Sequence, residues 1–316
     1  MRVCLMMEGQ EDVGWEDWIA LAAACEESGL EGLFRSDHYL SVMGQAHRGS
    51  LDAWATISAL AAVTRRIRLG TLVSPATFRH PSVLAKMAVT ADRVSGGRIE
   101  LGLGAGWLEP EHRAYGFEFP PTEVRIEVLA EQLEIVHRSW GEEEFSFDGR
   151  HYTIAGLNAL PKPVQRPNLP LIVGGQAGRR SVQLAARWAD EYNTIFASAD
   201  ECRRRRRRVE QAFEEAGRSA SEMRFSLMTG CVVGSDGSEV ERRAALVMER
   251  TGETGDVGAW IAARAGQWVI GTVDQVAERL GELEAAGVER VMLQHLLHRD
   301  LDAVRLLGTE VAPKVA

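Results

Sequence analysis

Residues 67–107, IRLGTLVSPATFRHPSVLAKMAVTADRVSGGRIELGLGAGW, contain a strand, a loop, a helix, a glycine turn, a second strand and a glycine-rich loop in one run. Ile67–Val73 is apolar and β-prone. Pro81 suits the first turn of a helix, where its missing N–H leaves no bond unmade. Leu84, Met87, Ala88, Ala91 and Val94 recur at helical spacing, and Gly96-Gly97 ends that helix. Ile99, Leu101 and Leu103 then alternate with Glu100, Gly102 and Gly104, the rhythm of a strand. Together they make one β-α-β unit of a parallel sheet. Gly102, Gly104 and Gly106 allow backbone to approach a flat ligand, and small residues there also serve barrel packing.

The same alternation occupies the rest of the chain. Strands are expected at Arg2–Met7, Gly32–Arg35, Leu169–Val173, Glu191–Phe196, Arg224–Val233 and Arg290–Gln294. Helices are expected at Trp15–Ser28, Leu51–Thr64, Thr122–Trp140, Arg179–Trp188, Val257–Trp268 and Leu301–Val311. Another helix opens at Thr272-x-x-Gln275, a capping box. The count of about eight strands, nearly all followed by helices, favours a closed α/β (β/α)8 TIM barrel over an open doubly wound sheet. At 316 residues the chain exceeds the roughly 250 that such a barrel needs, so one barrel domain over 1–316 accounts for it. The excess falls at about 141–168, read as an insertion crossing the barrel, with a hairpin turn at Asp148-Gly149 and an extended run through Pro161, Pro163 and Pro167.

The formal net charge of −9 weighs against general nucleic-acid binding. No stretch approaches the roughly 20 apolar residues of a membrane span. Arg2–Met7 enters a strand at once, with no secretory signal ahead of it. Cys4, Cys25, Cys202 and Cys231 form no Cys-x-x-Cys, a pattern of reduced thiols in a cytoplasmic protein.

A barrel of this kind builds its site from the loops after its strands. Asp37-His38 follows the second strand and is the main candidate for proton chemistry, with His38 as acid or base and Asp37 biasing its charge. The competing reading is a loop pair that caps the next segment. Gly174-Gly175-Gln176-Ala177-Gly178-Arg179-Arg180 joins a strand to a helix. Bare N–H groups, the helix dipole and two arginines suit a phosphate there, and a tight βα turn is the alternative. Gly102–Gly106 lacks the glycine spacing of a dinucleotide fingerprint. The six arginines Arg203–Arg208 read as a solvated helix face. His295-x-x-His298 has no third ligand at suitable spacing, and no metal site is expected. No Gly-x-Ser-x-Gly elbow is present.

With SDHY at Ser36–Tyr39, RLGTLVSPATFRHP at Arg68–Pro81, SGGRIELGLGAGW at Ser95–Trp107, PKPVQRP at Pro161–Pro167 and LIVGG at Leu171–Gly175, the chain resembles the bacterial luciferase-like flavin and deazaflavin oxidoreductases. GTVDQVAERL and GVERVMLQH near the C-terminus complete the set, and the likeness is closest to members using coenzyme F420. The resemblance implies a barrel with its cofactor at the C-terminal rim. It implies His38 and Asp37 beside the deazaflavin and substrate, and Gly104, Ala105 and Gly106 along the ring or its side chain. Gly174, Gly175, Gln176 and Gly178 would hold the cofactor phosphate. A non-proline cis peptide is implied within Thr71–Ser74, at Leu72–Val73, backing the ring. Met43, Trp107 and Phe196 are expected as walls of the substrate pocket. Sugar-phosphate dehydrogenases of the family carry an acid near the place of Trp107, so Trp107 points to a more apolar substrate.

The expected reaction is hydride transfer between F420 and a small organic substrate, in a cytoplasmic homodimer that meets through the helices at 51–64 and 81–95. The alternatives are an FMN-dependent monooxygenase with the same fold, and a non-catalytic flavin-binding protein.

Overall fold

Alternation along the strands decides which side chains fill the barrel. On the first strand Cys4 and Met6 join one apolar cluster with Phe34, Ile172, Met228 and Met292, while Val3, Leu5 and Met7 join another, larger one. The small cluster is the barrel interior, and the large one lies between strands and helices. The computed structural model describes residues 1–315. Its barrel strands are β1 (Arg2–Met7), β2 (Gly32–Arg35), β3 (Arg68–Thr71), β4 (Ile99–Gly104), β5 (Leu171–Gly174), β6 (Glu191–Ile195), β7 (Arg224–Gly234) and β8 (Arg290–Gln294). Each pairs in parallel with the next, and β8 returns to β1 from Arg2↔Arg290 to Met6↔Gln294. This is a closed (β/α)8 TIM barrel.

Below the apolar layer, toward the N-terminal ends of the strands, the interior is charged. Arg290 is fully buried and reaches Glu100 on β4 and Glu191 on β6. Arg68 and Arg224 pair with the same two carboxylates from the edge. The Arg290 guanidinium also sits 5.2 Å over the Phe34 ring. Gly70 leaves room for that ring, since a Cβ there would come 2.8 Å from it.

The strand expected over 67–73 stops at Thr71. Leu72–Val73 is a cis peptide, and pairing with β4 resumes at Ser74↔Leu103. From Gly70↔Glu100 to Ser74↔Leu103 this strand advances four residues while β4 advances three, so one residue bulges. Val73 is pushed toward its neighbours, and the glycines follow from that. A Cβ on Gly104 would approach a Val73 methyl to 2.7 Å, and one on Gly174 to 3.2 Å.

Three expectations on element boundaries change. The helix expected over 257–268 ends at Arg264, and Val269–Thr272 is a further strand on the outer half of β7. The helix expected over 51–64 runs from Ala53 to Val63. The insertion does not cross the barrel. Its hairpin, Phe145–Asp148 with Thr153–Leu157, packs outside helix Thr122–Gly141, where Glu131 accepts from the N–H groups of Arg150, His151 and Tyr152. The proline run then follows helix Pro81–Ser95, with Asp92 accepting from the Val164 N–H at 2.7 Å. The capping box of Thr272 and Gln275 forms as expected. Among the described residues no helix is long and apolar enough to cross a membrane.

Candidate active site

A cavity of about 700 Å³ opens at the C-terminal end of the barrel, and residues from all eight strands or the loops that follow them line it. His38, Leu72, Val73, Gly104, Ala105, Gly106, Trp107, Gly174, Gly175, Gln176 and Phe196, all expected from sequence, meet there. The His38 loop and the turn after β5 therefore face one shared space, as a common ligand requires.

His38 is held from an unexpected side. Its Nδ1 lies 2.8 Å from Glu111 Oε2, and the other Glu111 oxygen accepts the backbone N–H groups of Tyr39 and Leu40. Glu111 is fully buried on the short helix Glu109–Tyr115, which has Pro110 in its first turn just beyond the glycine loop. Burial disfavours the charged imidazole, but the hydrogen bond and charge of Glu111 outweigh it, so the His38 pKa rises above its usual value. Burial pushes Glu111 up in turn, yet His38 and the two backbone donors hold its carboxyl below the usual range. Trp107 stands edge-on to His38, with ring centroids 5.6 Å apart, and is 62% exposed at the mouth.

Asp37 adds its charge to those that raise the His38 pKa but does not orient the ring. Adjacent residues of an extended chain point to opposite sides, and Asp37 is buried behind the wall. It pairs with Arg79 and accepts from Ser74 Oγ, both at 2.6 Å. Arg79 continues to Tyr39 and Asp52. Asp37 thus anchors the segment that follows the Leu72–Val73 bulge, and Glu111 is the acid that orients His38. Met43 is also outside the cavity. It packs against the cluster of Val232, Trp260 and Leu296, and Val42 takes the place at the wall.

Gly178 caps helix Arg179–Trp188 and is not among the lining residues. The turn before it is fixed by Tyr192, whose hydroxyl accepts from the Ala177 N–H at 2.8 Å and would lie 2.8 Å from a Cβ on Gly175. No side chain caps that helix, so its first N–H groups remain available to an anion. Phe196, at φ +41°, stacks on Trp268 and closes the β6 side. Burial pushes His295 and His298 down to about 4. Neither lines the cavity, and His298 accepts from Arg250. Among the described residues no three His, Cys, Asp or Glu side chains are grouped to hold a metal ion.

Glu8, Ser36 and Gln294 stand at the strand ends where the sequence places the site, though it gives them no role, while Asn193 and Glu111 were missed. The signal for Glu111 was Pro110, a helix-start residue directly after a rim loop.

A closed parallel barrel with a buried imidazole–carboxylate pair at its C-terminal mouth, facing a glycine turn and helix start, is the architecture of a TIM-barrel enzyme. The sequence profile of the luciferase-like monooxygenases matches residues 3–290, and the chain belongs to that family. It is 31% identical over 168 residues to an F420-dependent glucose-6-phosphate dehydrogenase of Amycolatopsis mediterranei, covering 52% of this chain and 50% of that one. It is 27% identical over 325 residues to an FMNH2-dependent dimethylsulfone monooxygenase of Pseudomonas putida, covering 93% and 86%. The chain spans about half the length of the first curated relatives it matches. Among solved structures, an F420-dependent secondary alcohol dehydrogenase superposes with a TM-score of 0.83 at 19% identity, covering 100% of this chain and 99% of that one, a likeness of fold.

Proposed function

We propose that this chain is an F420-dependent oxidoreductase that moves a hydride between the deazaflavin and a small organic substrate. The observation that carries the reading is the shared cavity, with the His38–Glu111 pair on one side and the Gly174–Gln176 turn on the other, over the Val73 bulge. The residues present fit such a group. Val73 and Leu72 offer an apolar backing, Gly104–Gly106 a close edge, and the Arg179–Trp188 helix start a phosphate seat. When bound, the deazaflavin supplies or accepts the hydride. The protein's share is to align, to exclude water and to move a proton.

Glu111 accepts the His38 Nδ1 proton, which leaves Nε2 as the nitrogen that exchanges a proton with the substrate. That nitrogen has no partner among the described residues. Trp107 and Phe196 form walls, and their apolar surface favours a substrate less polar than a sugar phosphate.

A monooxygenase using reduced FMN is the second reading, supported by the Pseudomonas relative aligned over most of both chains. Titration of the purified protein with F420 and, separately, FMN, followed by fluorescence quenching, is expected to show at least a tenfold preference for F420. Preference for FMN, with oxygen uptake, reverses the order. The homodimer belongs to the same reading. Helices Ala53–Val63 and Pro81–Ser95 pack together and leave Val63, Val83 and Val94 exposed. Light scattering is expected to give twice the mass of one chain.

A further inference from the structure

One ionisable group at the mouth enters the scheme above only through its charge, which adds to the rise at His38. Glu8 follows β1, lines the cavity and is 7% exposed. It forms no salt bridge among the described residues. Gln10 Nε2 donates to Oε2 at 2.7 Å and Gln294 Nε2 donates to Oε1 at 2.5 Å. Gln10 is itself fixed, because its Oε1 accepts the Ser36 hydroxyl. Two amide donors, one on each oxygen, match the acceptor-only form of a carboxylate. Each oxygen keeps a further lone pair.

A buried carboxylate without a cation is costly unless hydrogen bonds compensate it. An amide would fill the same volume but set its NH2 against Gln10 or Gln294, so these donors account for the two acceptor oxygens and not for their place at the mouth. The order of the strands explains that place. In a ring of eight strands β1 lies opposite β5, so Glu8 faces the cavity from the side away from the Gly174–Gln176 turn. It lies between the His38 loop after β2 and Gln294 on β8. A phosphate seated at the turn, as proposed above, would be across the mouth from this carboxylate, which leaves the space beside His38 for a substrate.

We propose that Glu8 is a substrate-binding residue that accepts a hydrogen bond from a hydroxyl or ammonium group of the substrate and turns away carboxylate- or phosphate-bearing ones. The proposal deepens the oxidoreductase reading and rests on its assignment of the cavity.

Three probes of one shape test it: cyclohexanol, cyclohexylammonium and cyclohexanecarboxylate, titrated into the full chain by tryptophan fluorescence. Each is measured with F420, with FMN and with no cofactor. The wild type is expected to bind cyclohexylammonium about tenfold or more tighter than cyclohexanecarboxylate, the size of one charge-assisted hydrogen bond. In Glu8→Gln that ratio is expected to fall to about twofold with cofactor affinity unchanged. Glu8→Ala, which adds no donor, gives the same collapse if the glutamine variant does not fold. The alcohol separates the two donors: binding near that of the ammonium means the hydrogen bond dominates, and binding near that of the carboxylate means the charge does, and either supports the site. A wild type that takes the carboxylate as readily as the ammonium overturns the proposal, as does a preference that survives both substitutions. Failure to bind F420 overturns the cofactor reading alone, because the FMN and cofactor-free arms still report on Glu8.

Discussion

Alanine at position 38 is expected to lower kcat by about two to four orders of magnitude, the usual share of a positioned acid or base, while F420 affinity stays within about twofold. The imidazole is oriented through Nδ1 by the buried Glu111 and leaves Nε2 as its free nitrogen. The cofactor contacts lie on other strands, so binding and turnover separate. The pH profile carries the same information with a definite sign. Glu111 raises the His38 pKa despite burial, so in the direction where His38 gives up a proton, activity falls on a limb above the ordinary imidazole value of about 6.5. Glu111→Gln removes the largest raising cause and leaves burial opposed only by the charges of Glu8 and Asp37, which moves that limb to lower pH. The linkage to stability has the matching sense. The contribution of the pair is complete below the unfolded value and is lost as pH rises through the raised folded one. Full turnover by the His38→Ala protein, or an unmoved limb in Glu111→Gln, removes the assigned role.

The distance over which each signal acts explains what could be read from the chain. Strand β4 follows from period-two alternation with its glycines, and β1, β2 and β8 from short apolar runs, all of them local signals. The cis bond at Leu72–Val73 came through family resemblance, and the bulge it makes shows why glycines recur at 102, 104 and 174: they clear Val73. The outcome at Asp37 has a physical source as well. Its charge does help raise the His38 pKa, but it does not touch the ring, because an extended chain sends neighbours to opposite sides. The true partner, Glu111, stands 73 positions away and arrives through barrel closure. Helix Gly237–Thr251 was legible but passed over, since Val240, Ala244, Val247 and Met248 are its buried face at helical spacing. Strand Val269–Thr272 was hidden because it is short and continues an apolar helical stretch.

The charged layer under the apolar one was legible only in part, because Glu100 alternates like an apolar strand residue while its partners lie on other strands. Its energetics give the second large expectation. Arg290→Met should destabilise the fold by roughly 3–5 kcal/mol, since it strands two buried carboxylates without their shared cation. Burial pushes the Glu100 carboxyl up, but Arg290 and Arg68 hold it down at about 2. In the wild type that contribution is complete above the unfolded glutamate value and is lost as pH falls through the depressed one. In the variant Glu100 keeps its burial and loses the larger of its two cations, so its carboxyl moves up and the stability lost at low pH shrinks. Urea midpoints at several pH values read both effects. Arg68 and Arg224, partly exposed at the edge, can turn to solvent but cannot reach the barrel axis as Arg290 does. The combined variant Arg290→Met, Glu100→Leu, Glu191→Leu is therefore expected to regain most of the loss, because a buried ion cluster exchanged for apolar volume is often neutral. An Arg290→Met protein as stable as the wild type at pH 8 would mean that water reaches the barrel floor and solvates both carboxylates.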